Sequence, residues 1–582
     1  MLGIVLASLV VFWPALNAEF LFWDDNHNVY ENAQITSLDT DSLKWMFGGV
    51  GPDIRYKPLT YLTWASVQAV FGLKAFPYHV TNLLLHALNG LLLFLVLRQI
   101  GRRISTDPDE NAQSTIDILA GLAVFVWLLH PLRVEPVAWV SCTAHHLSFC
   151  FALIAAWSYL TVGHSKSVFR QRGYWGAILA YCLSLLSFPL PLGFFAVFFA
   201  LNLFPLKRLH ASRLPSRQLL FELLPFLFIS VLMTGVAAYS RMVVQGAFGT
   251  PVTLDQLPVI DRVMRGFYVW AYYLWRPFWP FDLGPVYMEL ADFTPFEPRM
   301  LLCALLVGGL SFYTFVERKT KPGLLAIWTA YLTLMVPLLG LTEGSHYPGD
   351  RYSLISGALM SAGAFIWLLL NNKRVPDAAI RFGGFGLIAL FAGLSFNQAK
   401  IWQNDEVFFR YQIGYLPPGS QKSMALTRYG HALNRQERFE EAVAAYDEAI
   451  HSMPPYMGSD LPFSYGTALE RLGRYEEAIH NYQLAIGNAP DLVTAWRRLG
   501  SLLFQLGQPG PAEKVFQDAI ALHADQLELR IAHAEGLISM NQLDRADAVL
   551  GAAYAIPARV PAHAQRYEEL VRQLAAVRQN RQ

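Results

Sequence analysis

Charge is what this 582-residue chain has least of. Only 15% of its residues are Asp, Glu, Lys or Arg, where a soluble chain carries about 25%. Apolar residues make up 54% and fall in long blocks rather than short periodic stripes, which excludes an ordinary cytosolic enzyme. The net charge is +1, so no global field recruits nucleic acid or acidic partners. Cysteine is scarce: Cys142, Cys150, Cys182 and Cys303 all sit within apolar blocks. Their spacing matches no metal knuckle, and they read as small side chains of a membrane core rather than a disulfide framework. A glycine-rich loop for nucleotide phosphates is also missing.

The apolar runs fill residues 1–398, whereas residues 422–582 are charged and Ala-rich, with 399–421 as a linker between them. Eleven membrane spans are expected in the first part. Leu2–Leu16 lacks the basic start of a signal peptide and reads as a retained first span. Ten more are centred near residues 79–98, 116–130, 141–162, 174–188, 191–206, 218–239, 300–316, 322–341, 352–370 and 382–398. The segment 258–280 is broken by Arg262, Arg265 and Arg276, and is expected to lie along the outer interface or re-enter without crossing. Basic clusters at Arg98/Arg102/Arg103, Lys166/Arg170/Arg172, Lys207/Arg208/Arg213/Arg217, Arg318/Lys319/Lys321 and Lys373/Arg374/Arg381 then fall in alternate loops. The N-terminus is cytoplasmic in this reading, and both the loop 17–78 and the tail face outward.

The tail repeats. Gly430, Gly466 and Gly500 are each followed twelve positions later by alanine, at Ala442, Ala478 and Ala512. A fourth copy has Ala534 and Ala546, giving alanine intervals of 36, 34 and 34 against a tetratricopeptide period of about 34. Tyr446, Tyr482, Phe516 and Leu550 follow, then Ala449, Ala485, Ala519 and Ala553. Small residues let paired helices approach, and large ones are expected to fill the space between successive pairs. About four repeats are expected over 422–582. The concave face of such an array holds peptides or proteins. Trp496 and His431 read as repeat packing rather than ligand contacts.

Four polar clusters interrupt the apolar part on its outward side. Asp24-Asp25 opens the first outer loop. Paired carboxylates raise one another's pKa, which suits a general base, although aspartate also starts loops and caps helices. Arg55 and Lys57 suit a phosphate clamp or the anchoring of an interfacial helix over 59–74. Tyr78-His79-Val80-Thr81-Asn82 leads to His86, and His130-Pro131-Leu132-Arg133-Val134-Glu135-Pro136 precedes His145-His146. Neighbouring histidines on a helix diverge, so no metal site is expected. The fourth cluster is His346-Tyr347-Pro348-Gly349-Asp350-Arg351-Tyr352. Ionisable groups at a membrane are costly and point to function.

In this order the pieces Phe22-Trp23-Asp24-Asp25, Tyr56-Lys57-Pro58-Leu59-Thr60, the run Tyr78–His86, the run His130–Val140 and Asp350-Arg351-Tyr352, with the repeats behind them, resemble the bacterial relatives of the transmembrane-and-tetratricopeptide-repeat O-mannosyltransferases. The resemblance implies an all-α chain: a polytopic GT-C-like membrane domain followed by a tetratricopeptide α-solenoid. It implies an enzyme at the outer face of a bacterial inner membrane, taking a sugar, mannose or another hexose, from a polyprenyl-phosphate donor to a protein or peptide hydroxyl. Asp24 and Asp25 are then the catalytic candidates, with Asp25 preferred as base. Arg55, Lys57, Arg133 and Arg351 are the donor-phosphate candidates. His79, His86, His130, Glu135, His145, His146, Asp350 and Tyr352 line the pocket, and no cofactor or metal is required. Three departures from the family pattern stand out, one of them the run His346-Tyr347-Pro348-Gly349 in place of a small-residue approach to Asp350-Arg351-Tyr352. Lys57 occupies a position where the family motif has arginine, and Ser141-Cys142-Thr143-Ala144-His145-His146 replaces a more charged stretch. A repeat scaffold that binds proteins and has lost the enzyme's activity is the competing reading.

Overall fold

The computed structural model describes residues 2–48, 56–105, 110–163, 168–209, 216–243, 253–290, 293–341, 348–371, 374–452, 460–554, 556 and 561–579. The chain separates into two compact units, Met1–Asn404 and Asp405–Gln582. The described secondary structure is helical throughout.

The main helices described in the first unit are α1 (Leu2–Val11), α2 (Pro58–Phe71), α3 (Ala75–Ile104), α4 (Glu110–Leu128), α5 (Thr143–Leu160), α6 (Arg172–Ser187), α7 (Phe195–Leu203), α8 (Arg217–Val243), α9 (Val259–Trp275), α10 (Pro298–Val316), α11 (Pro322–Met335), α12 (Ser353–Asn371) and α13 (Asp377–Ala399), with shorter helices at Trp13–Leu16, Thr40–Gly48 and Val134–Ala138. Seven of these, α3, α4, α5, α8, α10, α12 and α13, are long and apolar enough to cross a membrane once their short end turns are included. The expected spans at 2–16, 174–188, 191–206 and 322–341 also fall on helices. Those helices are shorter: α6 has 16 residues, about 24 Å against a hydrocarbon core of about 30 Å. The doubtful segment forms α9, which buries Met264, Arg265, Tyr268 and Tyr272 and exposes Val259, Ile260 and Val263.

Helix α3 positions much of the polar interior. His79, Asn82, His86 and Asn89 recur at intervals of three and four, so they share one face, and all four are buried. That face meets α5: Asn82 Oδ1 accepts from Thr143 Oγ1 at 2.6 Å, and Asn89 Nδ2 donates to the His146 carbonyl at 3.0 Å. At its other end, Arg98 pairs with Asp117 of α4 at 2.7 Å.

The second unit stacks four helix pairs: Ser420–Arg435 with Phe439–Ser452, Asp460–Arg471 with Tyr475–Asn488, Val493–Gln505 with Pro509–Leu522, and Leu527–Ser539 with Leu543–Gly551. Asp405–Tyr415, part of the expected linker, is a helix packed on the first pair, and Pro561–Gln579 packs on the last. The recurring glycines explain themselves. A Cβ at Gly430, Gly466 or Gly500 would lie 2.6, 2.9 or 2.4 Å from the ring of Tyr446, Tyr482 or Phe516 respectively. Each glycine therefore seats the aromatic of its own pair, closer than the space between pairs suggested by the sequence. The turns add a signal the composition hides. Glu437, Gly473, Gly507 and Asn541, at intervals of 36, 34 and 34, all adopt positive φ.

Candidate functional site

The chain leaves α1 through the short helix Trp13–Leu16 and reaches Asp24, which is exposed and holds φ at 95°. Asp25 follows with no exposed surface and opens the π-turn Asn26–Tyr30. Its carboxylate accepts three hydrogen bonds. Leu21 N–H reaches Oδ2 at 3.1 Å, while Ser141 N–H and Ser141 Oγ–H reach Oδ1 at 2.9 and 2.6 Å. Burial outweighs these donors and pushes the Asp25 pKa up to about 7. The network continues outward. Asn28 Nδ2 donates to Ser141 Oγ at 3.0 Å, and Lys57 Nζ donates to Asn28 Oδ1 at 2.6 Å. The Lys57 ammonium also lies over the rings of Trp64 and Tyr61, at 4.6 and 5.1 Å.

One stretch of chain gathers the remaining motifs. Residues 130–146 are all buried and advance through three short turns, Pro131–Arg133, Val134–Ala138 and Val140–Cys142, before α5 begins. Ser141 holds Asp25, and the Trp139 carbonyl accepts from Asn82 Nδ2 at 2.8 Å. Thr143 Oγ1 accepts from Trp64 Nε1 at 3.0 Å. Glu135 takes both the backbone N–H of Arg351, at 2.7 Å, and its guanidinium. Arg351 lies over the Tyr352 and Trp139 rings, at 4.5 and 5.2 Å. Asp350 accepts from Tyr287 O–H at 2.7 Å. Arg133 donates to Ser353 Oγ at 2.8 Å beneath the Trp127 ring, and burial pulls its pKa down to about 9. Gly357 leaves room for it: a Cβ there would come within 2.8 Å of Nη2.

The histidines face inward. His130 Nδ1 accepts from Leu132 N–H at 3.1 Å while Nε2 donates to the Pro277 carbonyl at 2.9 Å, and burial holds the ring neutral with its pKa near 3. His86 Nε2 donates to the Leu128 carbonyl at 2.9 Å, with the His146 ring 5.2 Å away. His145 packs between Phe188 and Tyr352. His79 is buried. No group of three His, Cys, Asp or Glu side chains suited to a metal occurs among the described residues.

The arrangement brings the acidic pair, Lys57, the α3 face, the 130–146 stretch and Asp350-Arg351-Tyr352 into one connected polar network. Arg55, His346 and Tyr347 lie outside the described residues. Each described basic candidate (Lys57, Arg133 and Arg351) already has a partner inside the fold. The preference for Asp25 as base meets a physical obstacle, because both its oxygens are occupied and shielded, whereas Asp24 is exposed. Sequence reading passed over Ser141, Asn28 and Tyr287. Ser141 was visible as the first residue of the departing stretch, and Asn28 as a third polar group just past Asp25.

A tetratricopeptide repeat model matches residues 465–526, in keeping with the repeat period of the C-terminal unit. The chain is 35% identical over 119 residues to the protein O-mannosyl-transferase Tmtc3 of Drosophila melanogaster. That match covers 19% of this chain and 13% of the relative's length, so it is a distant and partial similarity. A crystal structure of YrrB, described as a tetratricopeptide protein with an unusual peptide-binding site, aligns at 21% identity over 30% of this chain and 85% of its own, with a TM-score of 0.24.

Proposed function

We propose that this multi-pass membrane protein is a glycosyltransferase that moves a hexose from a polyprenyl-phosphate donor to a protein hydroxyl on the outer face of a bacterial inner membrane. The carrying observation is the acidic pair: an exposed carboxylate fixed in a left-handed backbone conformation beside a buried, hydrogen-bonded one. The partial likeness to an O-mannosyl-transferase supports the same class.

In this reading Asp24 takes the proton from the acceptor hydroxyl as its oxygen attacks the anomeric carbon. The new C–O bond forms on the face opposite the breaking bond to phosphate, so the configuration inverts. The lipid phosphate leaves as an anion. Asp25 contributes by position: Ser141 and Leu21 lock it, and it anchors the turn that presents Asp24. Lys57, which reaches the Asp25 network through Asn28, and Arg351, held by Glu135, then stabilise the departing phosphate. The repeats face the same side and hold the acceptor. Eleven passes, with α1, α6, α7 and α11 counted despite their length, produce this orientation.

One observation favours the scaffold reading, namely that the described basic candidates Lys57, Arg133 and Arg351 already have partners within the fold. A membrane extract of cells expressing the chain, given labelled sugar on polyprenyl phosphate and an acceptor peptide, separates the two. Transfer above the level of an Asp24→Asn extract supports the enzyme; equal counts from both extracts support the scaffold.

A further inference from the structure

Away from the polar network, a cavity of 830 Å³ opens between α7, α8 and α11. Phe195, Phe199, Leu220, Leu224 and Leu227 supply its walls, and Arg217 is part of its lining. Its size suits one chain of a small amphiphile. The α8 wall is open, since Leu220 and Leu224 are 50% and 48% exposed. Such a surface faces the hydrocarbon of a bilayer.

The two ends of the groove differ in chemistry. At one end, the turn Leu190–Phe194 leads into α7, and Gly193 rests on the Thr333 carbonyl. This end adjoins the candidate site, because Phe188 packs on His145 and the Ser187 carbonyl accepts from Thr60. At the other end α7 finishes, Phe204 lies against Gly323 and Arg208 pairs with Glu222. Arg217 begins α8 here. Glu222 is its nearest acid along the helix, and both Glu222 oxygens are occupied, one by Arg208 and the other by Gln218 at 3.1 Å. Arg217 and the exposed Lys207 have no acidic partner among the described residues. Arg217 therefore stands in the lining of an apolar groove without an acidic partner among the described residues, at the end remote from Asp24, and Lys207 precedes Arg208, which is tied to the same helix through Glu222.

We propose that the groove binds an anionic phospholipid, one acyl chain lying along α8 and the phosphate held by Arg217 and Lys207. Charge complementarity selects this occupant. A zwitterionic lipid brings its own cation to the same mouth, and a sugar donor carries its phosphate at the opposite end. The lipid ties α7, α8 and α11 together where their direct contacts leave a gap.

The full-length protein in neutral detergent tests this by titration with phosphatidylglycerol or phosphatidylcholine of matched chains, with retained lipid counted by native mass spectrometry. One phosphatidylglycerol should be held at least about tenfold more tightly than phosphatidylcholine, the scale of one charged hydrogen bond. The double variant Arg217→Gln/Lys207→Gln should bind both lipids equally, and Leu224→Trp, which fills the groove, should release both. Equal binding of the two lipids by the wild-type chain would overturn the proposal, as would a charge variant that keeps the preference. Mole-for-mole displacement of phosphatidylglycerol by polyprenyl phosphate would also overturn it, giving the groove to the donor's tail. These measurements read lipid binding alone and are independent of sugar transfer.

Discussion

Asp24 holds a backbone conformation that costs an ordinary residue about 1–2 kcal/mol. Strain of this kind concentrates where function needs it. Replacement by glycine should therefore stabilise the protein by roughly 1 kcal/mol while cutting transfer by about 10²–10⁴. A thermal melt beside a transfer assay reads both; a glycine variant with full transfer would leave Asp24 as a loop residue. Asp25 behaves differently. Its folded pKa, about 7, lies above the unfolded value of 3.8, so the folded state binds the extra proton. The contribution of Asp25 to stability is accordingly greatest below about pH 4 and is lost as pH rises to 7. Asp25→Asn turns an amide toward the Leu21 N–H and should cost about 1–3 kcal/mol at pH 5. The gap from wild type should narrow by pH 8, and parallel melting curves across that range would contradict the assignment. The acidic pair was legible as a pair in the sequence. Which member was shielded was not, because the shielding group, Ser141, is 116 positions away.

At the scale of elements, the repeat unit was the most legible part of the chain, since each glycine and its aromatic sit sixteen residues apart and meet directly. Gly500→Ala should overpack against Phe516 and cost about 1–3 kcal/mol. The fourth copy already combines Ala534 with Leu550, so adding Phe516→Leu should recover part of the loss. A double-mutant cycle by thermal melts measures the coupling, and simple additivity would refute the direct contact. Helix lengths in the membrane unit were less legible. Apolar runs located the helices, and the expected span 174–188 agrees with α6 at Arg172–Ser187, yet the expected span 191–206 opens on the Leu190–Phe194 turn and leaves α7 only Phe195–Leu203. Hydropathy separates the two runs but does not distinguish an apolar turn from the helix that follows it.

For the molecule as a whole, the sequence divided the chain near residue 398, and the compact units divide at Asn404. The six residues of difference, and the helix Asp405–Tyr415 beyond them, belong to packing that composition does not report. Orientation remains the global prediction. An alkaline phosphatase fusion after residue 420 should be active in a bacterial host, while a cytoplasmic reporter at the same point should be silent. The reverse pattern would put the repeats on the cytoplasmic side and overturn both the count of eleven spans and the holding of the acceptor by the repeats.

The contact between Glu135 and Arg351 joins residues 216 positions apart. Chains grow at about 5–20 residues per second, so the Glu135 carboxyl emerges roughly ten to forty seconds before its cation exists. During that interval a group that is buried in the finished protein has no counter-charge from Arg351. The nascent chain must either leave the 130–146 stretch unassembled or carry a proton on Glu135 until α12 arrives. The Glu135–Arg351 contact is thus made late, after the greater part of the membrane unit has been synthesised, whereas the partners of Asp25 are all in the chain by Ser141.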